Sequence, residues 1–219
     1  MSIARLVQRL SAAAIAALSL NTAAQAADFL FDTDPFAGST ALTTPGRQIV
    51  GNEQFIPVFN VATDRLVFKP GVFGISSNIS FFSGLAADLP TGGTNFVVLG
   101  DADGDGDPSN GILLNAGLAA NLIANTVNTP GSGFFIYFNS GLDLPRLVFS
   151  TDLSAPTADL KVLARFTGLG GNAGRGEVAR ISAANVGAVP EPASWALMIA
   201  GFGMVGGTLR GRRKVELSA

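Results

Sequence analysis

The stretch that decides the fold is GFFIYF at residues 133–138, which is apolar almost throughout. A strand that is covered on both faces lacks polar alternation, because both rows of its side chains are buried. We therefore predict that residues 133–138 form a central strand of a sheet.

Six other runs are rich in Phe, Val and Ile, and most are bounded by Gly, Pro, Asn or Asp, which predicts strands. These runs lie at residues 48–50, 65–68, 79–82, 95–99, 146–150 and 159–166. In the last run the even-numbered positions are apolar, whereas Lys161 and Arg165 occupy odd-numbered positions. This alternation is mostly that of a half-buried strand.

One amphipathic helix is predicted after residue 115. Asn115 is suited to cap its N-terminus, and Pro130-Gly131 ends it. Its predicted apolar face comprises Leu118, Ala119, Leu122, Ile123 and Val127. We place this helix over an edge or an end of the strands.

The remaining body segments are predicted to be irregular or short. Residues 85–88 suggest a short helical turn, and residues 167–176 a Gly-rich loop. Residues 177–189 are a late strand or a linker. Gly168, Gly170 and Ala173 partly match the dinucleotide fingerprint G-x-G-x-x-G, but we predict no helix after them, so we interpret them as loop residues.

Two residue types are missing from the chain, which has no cysteine and no histidine. Disulfides, thiolate nucleophiles and the usual structural zinc sites are thereby excluded. The commonest general base is also excluded, and with it Ser-His-Asp and Cys-His catalysis within this chain.

The body of the chain is acidic. Residues 27–189 contain 14 acidic and 8 basic side chains, a net charge of −6. Binding to a phosphate backbone requires a basic face, so nucleic acid is not an expected partner.

The N-terminal segment has the pattern of a secretory signal peptide. Arg5 and Arg9 precede a short apolar run, and Ala24 and Ala26 occupy the small-residue positions of a cleavage site. Signal peptidase is then expected to cleave before Ala27. The alternative is a first helix of the mature fold.

The C-terminal segment has three parts. Pro190-Glu191-Pro192 comes first, and Trp195 follows with a ring suited to a membrane interface. Residues 193–209 then form an uncharged run of 17 residues. A helix of that length spans roughly 25 Å, close to the ~30 Å of a bilayer core.

A basic cluster closes the segment, and it consists of Arg210, Arg212, Arg213 and Lys214. The positive-inside rule keeps such a cluster in the cytoplasm and so places the body outside. We therefore predict a minimal transmembrane helix that anchors the chain in the inner membrane. The alternative is a buried core helix followed by a basic tail.

This three-part order resembles the PEP-CTERM sorting signal over about the last 30 residues. The resemblance implies recognition by exosortase, an integral-membrane cysteine protease, and cleavage near residues 190–192. It further implies onward transfer to the cell surface or the extracellular matrix. Such proteins are typical of Gram-negative bacteria that make exopolysaccharide and biofilm.

The sequence thus predicts a mainly β fold that is β-sandwich-like with one amphipathic helix, plus an N-terminal signal peptide helix and a C-terminal transmembrane helix. The predicted divisions are a signal peptide at 1–26, a β-rich extracytoplasmic domain at 27–188, the sorting signal at 189–214 and a tail at 215–219.

An acidic loop is the feature of the body most suited to chemistry. Asp101, Asp103, Asp105 and Asp107 alternate with small residues, and calcium prefers six to eight oxygen ligands. The start matches an EF-hand loop, but position 12 is Ile112 rather than Glu. Two interpretations stay open, a looser calcium site and a solvated acidic loop.

Three functions are compatible with these features. We favour a non-enzymatic structural or interaction protein of the cell surface or biofilm matrix, with exopolysaccharide as a possible partner. The alternative is a calcium-dependent binding module or adhesin. The third is a secreted hydrolase that uses paired carboxylates.

Overall fold

The computed structural model describes residues 26–101, 115–189, 198–200, 202 and 204. Within them the chain is mainly β, as predicted. The strands are β1 (Asp28–Phe31), β2 (Ile49–Val50), β3 (Gln54–Ile56), β4 (Arg65–Phe68), β5 (Phe81–Leu85), β6 (Phe96–Asp101), β7 (Gly133–Asn139), β8 (Leu144–Ser150), β9 (Leu160–Phe166) and β10 (Val186–Ala188). The helices are α1 (Pro70–Phe73), α2 (Ala116–Thr126) and α3 (Gly171–Val178), and 3₁₀ turns lie at Ala86–Asp88 and Ala183–Asn185.

These strands form two sheets. The smaller sheet has the order β1-β4-β10 and is entirely parallel. The larger sheet has the order β2-β9-β8-β7-β6-β5, and β3 also pairs with β9. Its β7–β8 and β8–β9 pairs are antiparallel, whereas its other pairs are parallel.

The two sheets share one core, which we call the inter-sheet core. Phe68 of the small sheet stacks on Phe134 of the large sheet, with ring centroids 4.0 Å apart. Phe73 of α1 meets Phe134 and Phe149 edge-on, each at 5.0 Å. Offset and edge-on ring pairs of this kind stabilise beyond the area that they bury.

A second core lies on the opposite face of the large sheet, where α2 covers the strands; we call it the helix-side core. Alternate residues of β7 enter the two cores, with Phe134 and Ile136 on one side and Phe135 and Tyr137 on the other. All seven residues of β7 are buried, and β7 lies between β6 and β8. The predicted central strand is therefore confirmed.

The N-cap predicted for α2 is confirmed by a 3.0 Å hydrogen bond from the Leu118 N–H to Asn115 Oδ1. Two other predictions about this helix are wrong in detail. The helix covers a sheet face rather than an edge or an end. Its buried side is also rotated: Ala119, Ile123 and Val127 are buried as predicted, but Leu118 is 42% exposed. The buried residues are Ala116, Ala119, Ala120 and Ile123. Alanine side chains let the helix backbone approach the sheet closely, which favours this side over the one with more leucine.

A β-bulge changes the alternation predicted for β9. Leu147 pairs with Ala164 but Val148 pairs with Val162, which leaves Leu163 as an extra residue. Val162 consequently lies in the helix-side core, whereas Ala164 and Leu163 lie in the inter-sheet core. The strand is therefore buried on both faces and is not half-buried as predicted.

The predicted loop at 167–176 is wrong, because α3 begins at Gly171. Three glycines make this helix intrinsically weak, so tertiary contacts must stabilise it. Val178 is buried in the inter-sheet core, and the Arg175 guanidinium lies 4.6 Å from the centroid of the Phe138 ring.

The glycines around α3 have a packing role. A Cβ at Gly168 would clash with the Pro57 carbonyl oxygen, and a Cβ at Gly174 would clash with the Leu169 carbonyl oxygen. The partial dinucleotide match thus reflects close backbone contacts within this fold, even though a helix does follow it.

The Phe68–Phe134 contact predicts a large effect of truncation. Phe134→Ala should destabilise the mature protein by about 3–5 kcal/mol, because it leaves a cavity between the sheets. Phe55→Ala is the matched control: Phe55 is 62% exposed, and its loss should cost under about 1 kcal/mol. Denaturant unfolding measures both, and equal effects would contradict the shared core.

Candidate functional site

The predicted signal peptidase site lies at the first described residues. Ala24 is outside the described residues, whereas Ala26 and Ala27 are exposed. The Ala27 N–H donates to Asp64 Oδ1 at 3.0 Å, and the Ala27 carbonyl accepts from the Arg65 N–H at 2.8 Å. The residue that would begin the mature chain is thus held against the start of β4.

The predicted sorting signal follows β10 in the sequence. The Val189 N–H donates to the Phe68 carbonyl at 2.8 Å, and Pro190 is the next residue in sequence. The predicted sorting residues lie outside the described part of the chain; they are Pro190, Glu191, Pro192, Trp195, Arg210, Arg212 and Arg213.

Part of the predicted transmembrane segment is described. Residues 198–200, 202 and 204 are helical. Their large side chains are exposed; they are Met198, Ile199, Phe202 and Met204. Among the described residues, no helix has the length and hydropathy that a membrane span requires.

The acidic loop is described only at its first residue. Asp101 ends β6, whereas Asp103, Asp105 and Asp107 lie outside the described residues. In the described ranges, no three Asp or Glu residues are grouped closely enough to hold a metal ion. The calcium hypothesis therefore stays a prediction.

A charged cluster that the sequence did not predict lies beside β3, where that strand pairs with β9. Glu53 Oε1 accepts from Arg146 Nη2 at 2.8 Å and also from Arg165 Nη2. The Glu53 side chain is only 9% exposed, and the two arginines are also largely covered. Arg146 and Arg165 are direct partners across the β8–β9 ladder, which holds the two guanidinium groups together.

Electrostatics keep this cluster charged. Burial alone would raise the pKa of Glu53, but a backbone hydrogen bond and the two guanidinium groups outweigh burial and lower the pKa below its ordinary value. The carboxylate therefore stays ionised at neutral pH and neutralises one of the two cations. The Nε atoms of Arg146 and Arg165 are buried without a hydrogen-bond partner, so the cluster is not fully satisfied.

The cluster continues to the surface through Phe55. The Arg165 guanidinium lies 5.2 Å from the Phe55 ring centroid, a cation–π contact. Strand β3 pairs only with β9 among the described strands, and no described strand pairs with its other edge. Phe55 and Val58 are exposed along this edge.

A cleft of about 460 Å³ opens on the inter-sheet side of the same region. Asp32 and Asp34, which follow β1, line one side, and Lys161 of β9 lines the other. Lys161 Nζ donates to the Gly51 carbonyl. Burial lowers the pKa of Lys161 below its ordinary value, although the charge of Glu53 opposes that shift.

Sequence reasoning missed these groups because it treated Lys161 and Arg165 as equivalent polar positions of one strand. The bulge at Leu163 puts them in different environments, the cleft and the Glu53 cluster. No local pattern marks Glu53 as their neighbour, since it lies 93 and 112 residues from its two arginines.

The lowered pKa of Glu53 predicts a pH-dependent stabilisation. Glu53→Gln should destabilise the mature protein by about 1–3 kcal/mol at pH 7, since two guanidinium groups lose their counter-charge. Because the pKa of Glu53 is lower in the folded than in the unfolded state, its ionised carboxylate stabilises the fold fully above the unfolded-state pKa of about 4.3. This stabilisation is lost as the pH falls through the folded-state pKa. Unfolding at pH 7, 5 and 3 should therefore show the difference from wild type shrinking at pH 3.

The matched control is Glu177→Gln. Glu177 pairs with Arg180 at 2.7 Å on the surface at the C-terminal end of α3, where ion pairs stabilise little. This substitution should change stability by under about 0.5 kcal/mol. A Glu53 effect equally small, or constant between pH 7 and pH 3, would contradict the buried charged cluster.

Comparison with known proteins gave a match for one segment of the chain. Searches of curated proteins and of solved structures found no match. A family model, the PEP-CTERM protein-sorting motif, matches residues 188–214. The match begins at the last residue of β10 and confirms the predicted resemblance. The chain therefore carries a PEP-CTERM protein-sorting motif, which indicates an exported protein that exosortase sorts.

Proposed function

We propose that this chain is an exported, exosortase-sorted protein of the cell surface or the exopolysaccharide and biofilm matrix, with a structural or interaction role. The observation that carries the proposal is the sorting motif at residues 188–214. The route runs across the inner membrane, with signal peptidase acting at Ala27 and the C-terminal helix as a transient anchor. Exopolysaccharide is the proposed partner at the destination.

The position of the motif relative to the fold supports this route. Strand β1 begins one residue after Ala27, and β10 ends two residues before Pro190. Cleavage near residues 190–192 would therefore leave both strands in the small sheet. Both processing steps can then remove targeting segments without disturbing the folded domain.

The non-enzymatic role is part of the proposal. It is supported by a sequence without histidine and cysteine, which removes the residue types used most often for general-base and nucleophilic catalysis. Release of reducing sugar from the host exopolysaccharide by the mature protein would contradict it and favour a carboxylate-based hydrolase.

Sorting is tested by replacing Pro190, Glu191 and Pro192 with alanine. The triple variant should remain in the membrane fraction, whereas wild type should appear mainly at the surface or in the matrix, because exosortase no longer recognises its motif. Immunoblots of fractionated cells measure the distribution. Glu177→Ala is the control outside the motif and should be sorted normally.

Deletion of the host exosortase should reproduce the membrane retention of the triple variant. Surface delivery that is unchanged in the triple variant, or in the exosortase deletion, would contradict the proposed route.

The second candidate function is a calcium-dependent binding module or adhesin, which the alternating carboxylates from Asp101 to Asp107 favour. Calcium at about 100 times its Kd should raise Tm by roughly 5–10 °C relative to chelator, since it binds only the folded state. Asp103→Asn combined with Asp105→Asn should abolish this shift. Asp88→Asn, an exposed control outside the loop, should keep it.

Thermal melts of the mature protein measure these shifts. No shift in wild type, or an equal shift in the double variant, would contradict a calcium site in this loop.

A further inference from the structure

Asp64 is a buried carboxylate that accepts hydrogen bonds from neutral donors. It is 4% exposed. Its Oδ2 accepts from the Asn60 N–H at 2.9 Å, and its Oδ1 accepts from Thr63 Oγ1 at 3.1 Å and from the Ala27 N–H at 3.0 Å. In the described part of the chain, no lysine or arginine lies within ion-pairing distance of it. Buried carboxylates usually have a counter-charge, whereas the described donors to Asp64 are all neutral.

The backbone around Asp64 is fixed as firmly as its side chain. The Asp64 N–H donates to the Asn60 carbonyl at 2.8 Å, and Asn185 Nδ2 donates to the Asp64 carbonyl at 2.9 Å. Asn185 is itself buried and immediately precedes β10. The carboxylate is therefore held in place before any additional partner binds.

One donor to Asp64, the Ala27 nitrogen, belongs to the predicted cleavage site. Cleavage is predicted between Ala26 and Ala27, so the Ala27 nitrogen is the atom that changes from an amide to an amine. It lies at hydrogen-bonding distance from Asp64 Oδ1 already. The bond from the Arg65 N–H to the Ala27 carbonyl holds Ala27 from its other side.

We propose that Asp64 is the binding site for the α-ammonium group that signal-peptide removal creates at Ala27. Hydrolysis of the Ala26–Ala27 bond adds hydroxide to the Ala26 carbonyl carbon and a proton to the Ala27 nitrogen. That amine takes a second proton from solvent at neutral pH. The new cation then forms a charge-assisted bond with a carboxylate that is already in place.

The pairing makes the mature domain more stable than its precursor. Before cleavage the described donors to the buried carboxylate are all neutral, whereas after cleavage it has a counter-charge at about the same distance. Because Ala27 leads directly into β1, the ion pair fastens the first strand to β4. Export processing thereby stabilises the small sheet at its N-terminal end.

The inference rests on the proposed export, and its test uses the full exported chain purified from its host. One variant carries a glycine inserted between Ala26 and Ala27. After cleavage it retains the Ala27 N–H as an amide donor to Asp64 but moves the ammonium one residue away. Asp64→Asn, alone and with the insertion, completes a double-mutant cycle. Intact mass identifies the N-terminus of each protein.

The insertion should lower Tm by roughly 3–6 °C, equivalent to about a tenfold change in the unfolding equilibrium, when Asp64 is present. It should change Tm little in the Asp64→Asn background. A second readout does not depend on how Asp64→Asn folds: amine-selective acylation at neutral pH should label the Ala27 amine at least tenfold more slowly than the inserted glycine.

Equal Tm shifts in the two backgrounds, or equal labelling rates of the two amines, would overturn the inference. A mature N-terminus other than Ala27 would overturn it as well. Failure of export gives a different result, because the chain would be recovered with residues 1–26 attached.

Discussion

The stacking of Phe68 on Phe134 is the contact on which the rest of the structure depends. It joins a three-stranded parallel sheet to a seven-stranded mixed sheet, and both rings lie in the core that the two sheets share. The phenylalanines Phe31, Phe73, Phe96 and Phe149 surround this pair in the same core. With few charges and no disulfide, the domain is stabilised chiefly by this aromatic packing and by the alanine-rich helix α2 on the other face.

The small sheet also contains the first and last strands of the described domain. Its outer strands β1 and β10 contain the two ends of the domain, and both pair with β4. Asp64 and Asn185 stabilise the same region: Asp64 accepts from the Ala27 N–H, and Asn185, which immediately precedes β10, donates to the Asp64 carbonyl just before β4. The first and last strands of the described domain, β1 and β10, thus belong to one sheet, and the predicted cleavage sites lie outside both strands in the sequence.

Much of the large sheet was predictable because its strands are continuous apolar runs with turn residues between them. The central strand β7 and the Asn115 cap are confirmed. The face of α2, the helix α3 and the pattern of β9 were not predictable, since tertiary contacts overrode local preference in each. Helix α3 has three glycines and forms because Val178 is buried and Arg175 packs on Phe138. In β9, one extra residue at Leu163 reverses the alternation.

The sequence by itself determined that the chain carries a PEP-CTERM sorting motif, because such motifs are linear segments whose order and charge can be read directly. It also excluded catalysis by histidine or cysteine side chains within this chain, because the sequence contains neither residue. Only the tertiary structure decided which charged groups meet. Glu53 lies 93 residues from Arg146, and Ala27 lies 37 residues from Asp64. Contacts across such separations arise from sheet order and parallel pairing, for which a single sequence has no local pattern.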